Sequence, residues 1–411
     1  MAPRVRPRLP ALDGIRGLAI VLVLWHHCYM QPRSGFLGFI YQLNHAAWVG
    51  VDLFFVLSGF LISGILYDSL GRENYFKRFY RRRVLRIFPL YYGAIFLLLA
   101  LSIPLSLHWH GRQWLLLGYL QNIGIIPPFH FDISNWVTLN HFWSLSIEEQ
   151  YYLAWPLVVY LVRDRVHLIW TTIALSLLAL ALRIYAAPHI NAAYLFTATP
   201  FRMDALLMGS CLALLYRAPA AIPPALPLRV QTFLELSLRA KRSNPAAFAS
   251  NGAESSAFRM LRNAATRHAP LLLFWLTLAA IFAVAIRGNG FEWWNKTVET
   301  AGFTLTALCG AALIALCLRE GITQRLFQNQ VLRFFGKYSY GLYVWHAFVY
   351  AGLRSHLTIH FGALLADLGC VVISVAIALV SYYGFEKWFL RLKDKPPKPQ
   401  PLAREELVCA N

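Results

Sequence analysis

The chain reads as an all-α, polytopic integral membrane protein with about ten transmembrane helices. Three observations lead there. Of its 411 residues, 58% are hydrophobic and only 14% charged, with mean hydropathy +0.49. Apolar runs recur along it, each near the ~20 residues that span a hydrocarbon layer. Lys and Arg gather in alternate loops, a bias that places both termini in the cytoplasm. A formal net charge of +19 on a soluble domain would suggest nucleic acid. Here that charge sits in short loops between apolar runs, so it reports topology and no nucleic acid is expected.

The predicted helices run roughly over 11–30, 48–68, 86–106, 147–162, 168–187, 198–216, 269–287, 299–318, 338–355 and 362–388. Gln113–Gln121 is shorter and reads as interfacial or re-entrant. Basic groups precede the first helix (Arg4, Arg6, Arg8) and follow the second (Lys77 to Arg86), fourth (Arg163, Arg165), sixth (Arg239, Lys241, Arg242), eighth (Arg319 to Lys337) and last. Ten crossings put all of them on one side. Residues 1–392 then form one membrane domain, with 218–268 a flexible cytoplasmic loop rich in Ala, Pro, Ser and Arg. Residues 393–411, with their Pro-Lys repeats, are expected to be a disordered cytoplasmic tail. The first run carries Arg16 and lacks a small-residue cleavage site, so no cleavable signal peptide is expected. Six cysteines without a CxxC pair imply neither a disulfide framework nor a metal site.

Ionisable residues inside membrane helices are expensive and point to function. Arg16 and His27 lie eleven residues apart on the first helix, close to three turns and about 16 Å. They share a face, which suits a long substrate with a charged end at Arg16 and a reacting end at His27. The plain alternative is a headgroup anchor and a packed imidazole. His26 points about 100° away and must do something else. Asp52, in Trp48-Val-Gly-Val-Asp52-Leu-Phe-Phe, sits near the same outer end and could orient a histidine or cap a helix. Ser58-Gly59 and Ser63-Gly64 read as packing residues.

Arg83 and Arg86 share a face of the third helix. Guanidinium forks hold phosphates bidentately, so Arg16, Arg83 and Arg86 would suit a phosphorylated cytosolic ligand. In His141-Phe-Trp-Ser144-Leu-Ser146-Ile-Glu148-Glu149, Ser146 and Glu149 have capping-box spacing, which leaves Glu148 as the candidate functional carboxylate. Arg202 and Asp204 read as a local ion pair. His346, mid-helix in the ninth run, either reacts or hydrogen-bonds across helices. Glu386 could pair with an inner basic residue.

Taken together, these clusters resemble the type-three family of integral membrane acyltransferases. The resemblance covers about residues 10–390. It rests on Leu12-Asp-Gly-Ile-Arg16-Gly with His27, Gly50-Val-Asp52-Leu-Phe-Phe-Val-Leu-Ser-Gly, and Arg83-x-x-Arg86 with Pro89. It also rests on Phe142-Trp-Ser-Leu-Ser-Ile-Glu148-Glu149-Gln, Arg202-Met-Asp204 and Tyr338-Ser-Tyr-Gly-Leu-Tyr-Val-Trp-His346. It implies a ten-helix enzyme of a bacterial inner membrane that O-acylates cell-envelope carbohydrate, such as a polysaccharide, lipopolysaccharide or glycolipid. It implies cytosolic acyl-CoA, usually acetyl-CoA, as donor substrate, with no permanently bound cofactor and no metal. His27 would serve as base or transient acyl carrier, with Glu148 or Asp52 behind it as in a hydrolase triad. Residues 218–268 have no counterpart in the family pattern. The extracytoplasmic hydrolase-like domain of longer members is not seen, which leaves room for a partner protein. A sugar or lipid transporter without acyl chemistry would also place ionisable groups in the membrane, but would need no thioester. A structural subunit would not need the internal histidines.

Overall fold

The computed structural model describes residues 9–28, 30–31, 34–109, 113–123, 133–134, 137–217 and 256–393, the last span without the side chains of 256–267 and 393. Its regular elements among these are helices. They are α1 (Pro10–His27), α2 (Gly35–Ala46), α3 (Val49–Asp68), α4 (Tyr75–Ala100), α5 (Gln113–Leu117), α6 (Trp143–Val162), α7 (Arg165–Ala186), α8 (Ala192–Thr197) and α9 (Thr199–Leu215). The chain continues through α10 (Ser256–Arg287), α11 (Phe303–Cys317), α12 (Ile322–Phe327), α13 (Gln330–Phe361), α14 (Ala363–Ser381) and α15 (Lys387–Lys393). Single π-helical turns at Val298–Gly302 and Tyr382–Glu386 precede α11 and α15.

Seven helices among the described residues are long and apolar enough to cross a membrane. Three further long helices, α1, α6 and α13, have 18, 20 and 32 residues. They fall outside that set because their polar side chains, Arg16, Glu148, Glu149 and His346 among them, lower their hydropathy. All three pack inside the bundle. The expected cytoplasmic placement of the termini concerns residues outside the described ones, as does the predicted tail from 394 onward. Most of the predicted 218–268 loop also lies outside them, but its end does not. The helix α10 begins at Ser256, because Ala, Arg, Met and Leu in 256–268 are good helix formers.

Two other predicted boundaries move for identifiable reasons. The basic run Lys77–Arg86 belongs to α4 instead of a loop, because aromatic residues alternate with its charges and dock. Tyr75 and Tyr80 donate to the Pro156 and Leu153 carbonyls of α6, and Arg81 donates to the Leu392 carbonyl of α15. The Gln113–Gln121 segment is helical only over Gln113–Leu117, where the hydroxyls of Tyr91 and Tyr92 take up the Leu116 and Leu117 carbonyls.

Between apolar helices in lipid there is little hydrophobic drive to associate, so close van der Waals contact carries the packing. Glycine supplies it here. A Cβ on Gly17 would fall 1.9 Å from the Leu332 carbonyl oxygen, and one on Gly336 would fall 1.8 Å from that of Asp13. The backbones of α1 and α13 therefore touch. Gly59 and Gly209 join α3 to α9 in the same way, their Cβ positions 1.8 and 1.9 Å from the Leu206 and Val56 carbonyl oxygens. The glycines of Asp13-Gly-Ile-Arg-Gly are thus packing residues, and Arg16 stands on the helix they anchor.

Gly336→Val must push α1 from α13, and overpacking of this kind costs about 1–3 kcal/mol or more. A clear drop in apparent Tm of the detergent-solubilised protein is expected. Gly384→Ala, which meets nothing within 4 Å, should leave Tm unchanged. Equal Tm values for both variants would contradict the backbone contact.

Candidate active site

Two cavities lie along α1, one near each end. The one at the His27 end, about 370 Å³, is lined by His26, His27, Trp48, His141, His346 and Tyr350 among others. Its rear is a cluster of three imidazoles. The His27 ring lies 4.7 Å from that of His346, and His346 lies 5.5 Å from His141. His27 and His346 come together because α1 and α13 run parallel in register. Each histidine is ten residues beyond a contacting glycine, Gly17 and Gly336.

Backbone carbonyls fix the ring tautomers, since a carbonyl can only accept. His27 Nδ1 donates to the Val23 carbonyl at 2.8 Å, leaving its Nε2 as the basic nitrogen. His346 Nδ1 donates to the Tyr343 carbonyl at 2.8 Å, and its buried Nε2 has no hydrogen-bond partner. His141 Nε2 lies 3.3 Å from the Val344 carbonyl, and its buried Nδ1 is likewise without one. Asn44 holds the end of α1 in place by donating to the Trp25 and Cys28 carbonyls.

The cavity at the Arg16 end, about 230 Å³, is lined by Arg16, Arg83, Arg86, Ser58, Glu148 and Tyr152 among others. The three arginines predicted to cluster do so. Arg16 is paired with Asp13 at 2.9 Å. Arg83 packs over the Tyr152 ring, and its buried Nε has no hydrogen-bond partner. Val51 and Tyr343 line both cavities. Tyr343 is held between them by Ser144, at 2.5 Å, and by the His141 carbonyl, at 2.7 Å.

The expected triad is not built. Glu148 sits in the arginine cavity, accepting from Ser58 at 2.8 Å and Tyr152 at 3.1 Å. Asp52 is occupied by Arg202 and by the Thr306 hydroxyl at 2.7 Å. His27 is oriented by its own helix backbone instead, which needs no carboxylate. The predicted Arg202–Asp204 pair is also crossed. Arg202 bonds Asp52, while Asp204 bonds Arg183 at 2.6 Å. Thr304 donates to Asp204 as well, so α3, α7, α9 and α11 meet in one buried polar knot. Removing one partner of such a pair typically costs about 3–5 kcal/mol, so these residues hold the scaffold behind the site. The capping box fails too. The N-cap of α6 is Phe142 without a side-chain bond, Ser146 bonds back to the Phe142 carbonyl, and Glu149 Oε1 is buried without a partner.

Sequence reasoning missed His141, Tyr343 and Arg183. His141 precedes its helix, where a histidine carries no periodic signal. Tyr343 lies within the quoted Tyr338–His346 motif, and its spacing three residues before His346 was the available clue. Arg183 was visible as a lone charge in an apolar run.

Known proteins of similar sequence give the family. The peptidoglycan O-acetyltransferase OatA of Listeria monocytogenes is 28% identical, over 83% of this chain and 49% of that protein. The O-acetyltransferase OatA of Staphylococcus aureus is 25% identical, over 97% of this chain and 61% of that protein. The chain therefore spans about half to three fifths of the length of these relatives. No solved structure matches it. The model of the family described as "Acyltransferase domain" matches residues 9–383, nearly the whole described bundle. The chain, an integral membrane protein, belongs to that acyltransferase family.

Proposed function

We propose that the protein transfers an acetyl group from cytosolic acetyl-CoA to a hydroxyl of cell-wall carbohydrate across a bacterial inner membrane. The observation that carries this reading is the pair of cavities, arginine-lined and histidine-lined, that share Val51 and Tyr343. The family and the peptidoglycan relatives supply the reaction class.

In this reading the CoA phosphates lie at Arg83 and Arg86, with Arg16 deeper. The cavity's 230 Å³ is below the ~300 Å³ at which ligand pockets begin, so it takes the pantetheine end and leaves the nucleotide outside. The thioester reaches outward along α1, past Tyr343, to His27. His27 Nε2 takes the proton of the acceptor hydroxyl as that oxygen attacks the thioester carbonyl carbon. The carbon–sulfur bond breaks, and the proton passes from His27 to the departing thiolate. His141 Nδ1 and His346 Nε2 accept hydrogen bonds from neighbouring hydroxyls of the acceptor. Glu148 balances the arginines and does not take part in proton transfer.

Membranes given radiolabelled acetyl-CoA and a cell-wall glycan preparation test this. His27→Ala should abolish labelling of the glycan while the protein still inserts; label at wild-type level would remove His27 from the reaction. Arg83→Ala loses charge-assisted hydrogen bonds worth about 1.5–3 kcal/mol. Its KM for acetyl-CoA should rise about ten- to hundredfold with kcat much less affected. An unchanged KM would place the donor elsewhere.

A further inference from the structure

A third cavity is larger than either of these two. It holds about 600 Å³ and runs between α1, α2, α3, α10 and α11. Its walls are almost wholly apolar, with Leu22, Leu53, Leu278, Ile281 and Leu313 among them. Along α10 it extends from Ile286 to Leu278, eight residues or about 12 Å of helix. That is close to half of a ~30 Å hydrocarbon layer. It reaches the half holding His27, because its Val49 and Phe291 neighbour Trp48, Val51 and Trp293 of the histidine cavity.

The mouth of this groove is polar. Gln42, Asn289 and Gly290 lie there, and Gln42 Oε1 is buried without a hydrogen-bond partner. Gly290 has φ +142°, and a Cβ on it would sit 2.8 Å from that oxygen. The loop is thus shaped to keep an unsatisfied acceptor at the groove's end. A thin aromatic partition separates groove from histidine cavity. Phe291 lines the first and Trp48 the second; their rings stack 5.7 Å apart, and Trp48 donates to the Phe291 carbonyl at 2.9 Å.

We infer that this groove holds the hydrocarbon tail of a lipid-linked carbohydrate acceptor, whose polar head lies against Gln42 and whose sugar enters the histidine cavity. This rests on the acetyl-transfer reading and names its acceptor class. An ordinary bilayer lipid would also be accepted by apolar walls. It gives no reason for the groove's polar end lying beside the reacting imidazole.

Two measurements on the full chain in nanodiscs test the groove. The first uses a long-chain alkyl glycoside with a diazirine in its tail. It should crosslink to α10 and α11, be displaced by the unlabelled glycoside but not by equal phosphatidylglycerol, and lose at least tenfold in Leu278→Trp. Ala285→Phe, which fills the groove from another position on α10, should show the same direction of change. Absent crosslinking, or equal displacement by phosphatidylglycerol, would overturn the inference by making this an ordinary lipid site. The second compares acetyl transfer to the long-chain and methyl glycosides. Wild type should show a KM at least tenfold lower for the long chain, and Leu278→Trp should lose that advantage with methyl-glycoside kinetics unchanged. Equal KM values in wild type would overturn it as well. Tail-specific crosslinking without transfer to either glycoside would uphold the groove and contradict only the acetyl-transfer reading.

Discussion

The close approach of α1 to α13 sets the register on which the chemistry depends. Gly17 and Gly336 remove every side-chain atom from the crossing, so the two backbones meet. Both helices then run outward together, and ten residues later His27 and His346 face each other. In lipid, where hydrophobic burial contributes little to helix association, such a contact is one of the few ways to hold two imidazoles together without a metal or a carboxylate. Val23 and Tyr343 carbonyls then set the ring tautomers from within the same helices.

The remaining polar groups divide into two kinds of work. Arg183 with Asp204 and Arg202 with Asp52 form two buried ion pairs, which together with Thr304 and Thr306 tie four helices together. Arg83, His141 and His346 each keep a buried nitrogen without a partner. All three residues line the two cavities, and in the proposed reaction these nitrogens meet substrate groups. Tyr343 borders both cavities, and in the proposed transfer the donor arm passes beside it.

Much of this was legible in the sequence, and what was not has a physical cause. Apolar runs and alternating basic loops gave the membrane bundle, and the Arg16–His27 spacing gave two ends of one site because helix geometry is fixed. The pairing of Arg202 and Asp204 was misread because side chains two residues apart on a helix point apart, and each found its partner on another helix. Glu148 and Asp52 were assigned to His27 by analogy with soluble triads, whereas a helix carbonyl one turn back already orients that ring. The apolar groove left no trace in the sequence. Leu, Ile and Phe facing a cavity look the same as Leu, Ile and Phe facing lipid.

The proposed reaction carries the acetyl group from the arginine end of the bundle to its histidine end. Sealed vesicles of known protein orientation, with acetyl-CoA confined to one side and carbohydrate acceptor to the other, measure that directly. Acceptor on the His27 side should become acetylated only when acetyl-CoA is on the Arg83 side. Acetylation that requires donor and acceptor on the same side would contradict a path joining the two cavities.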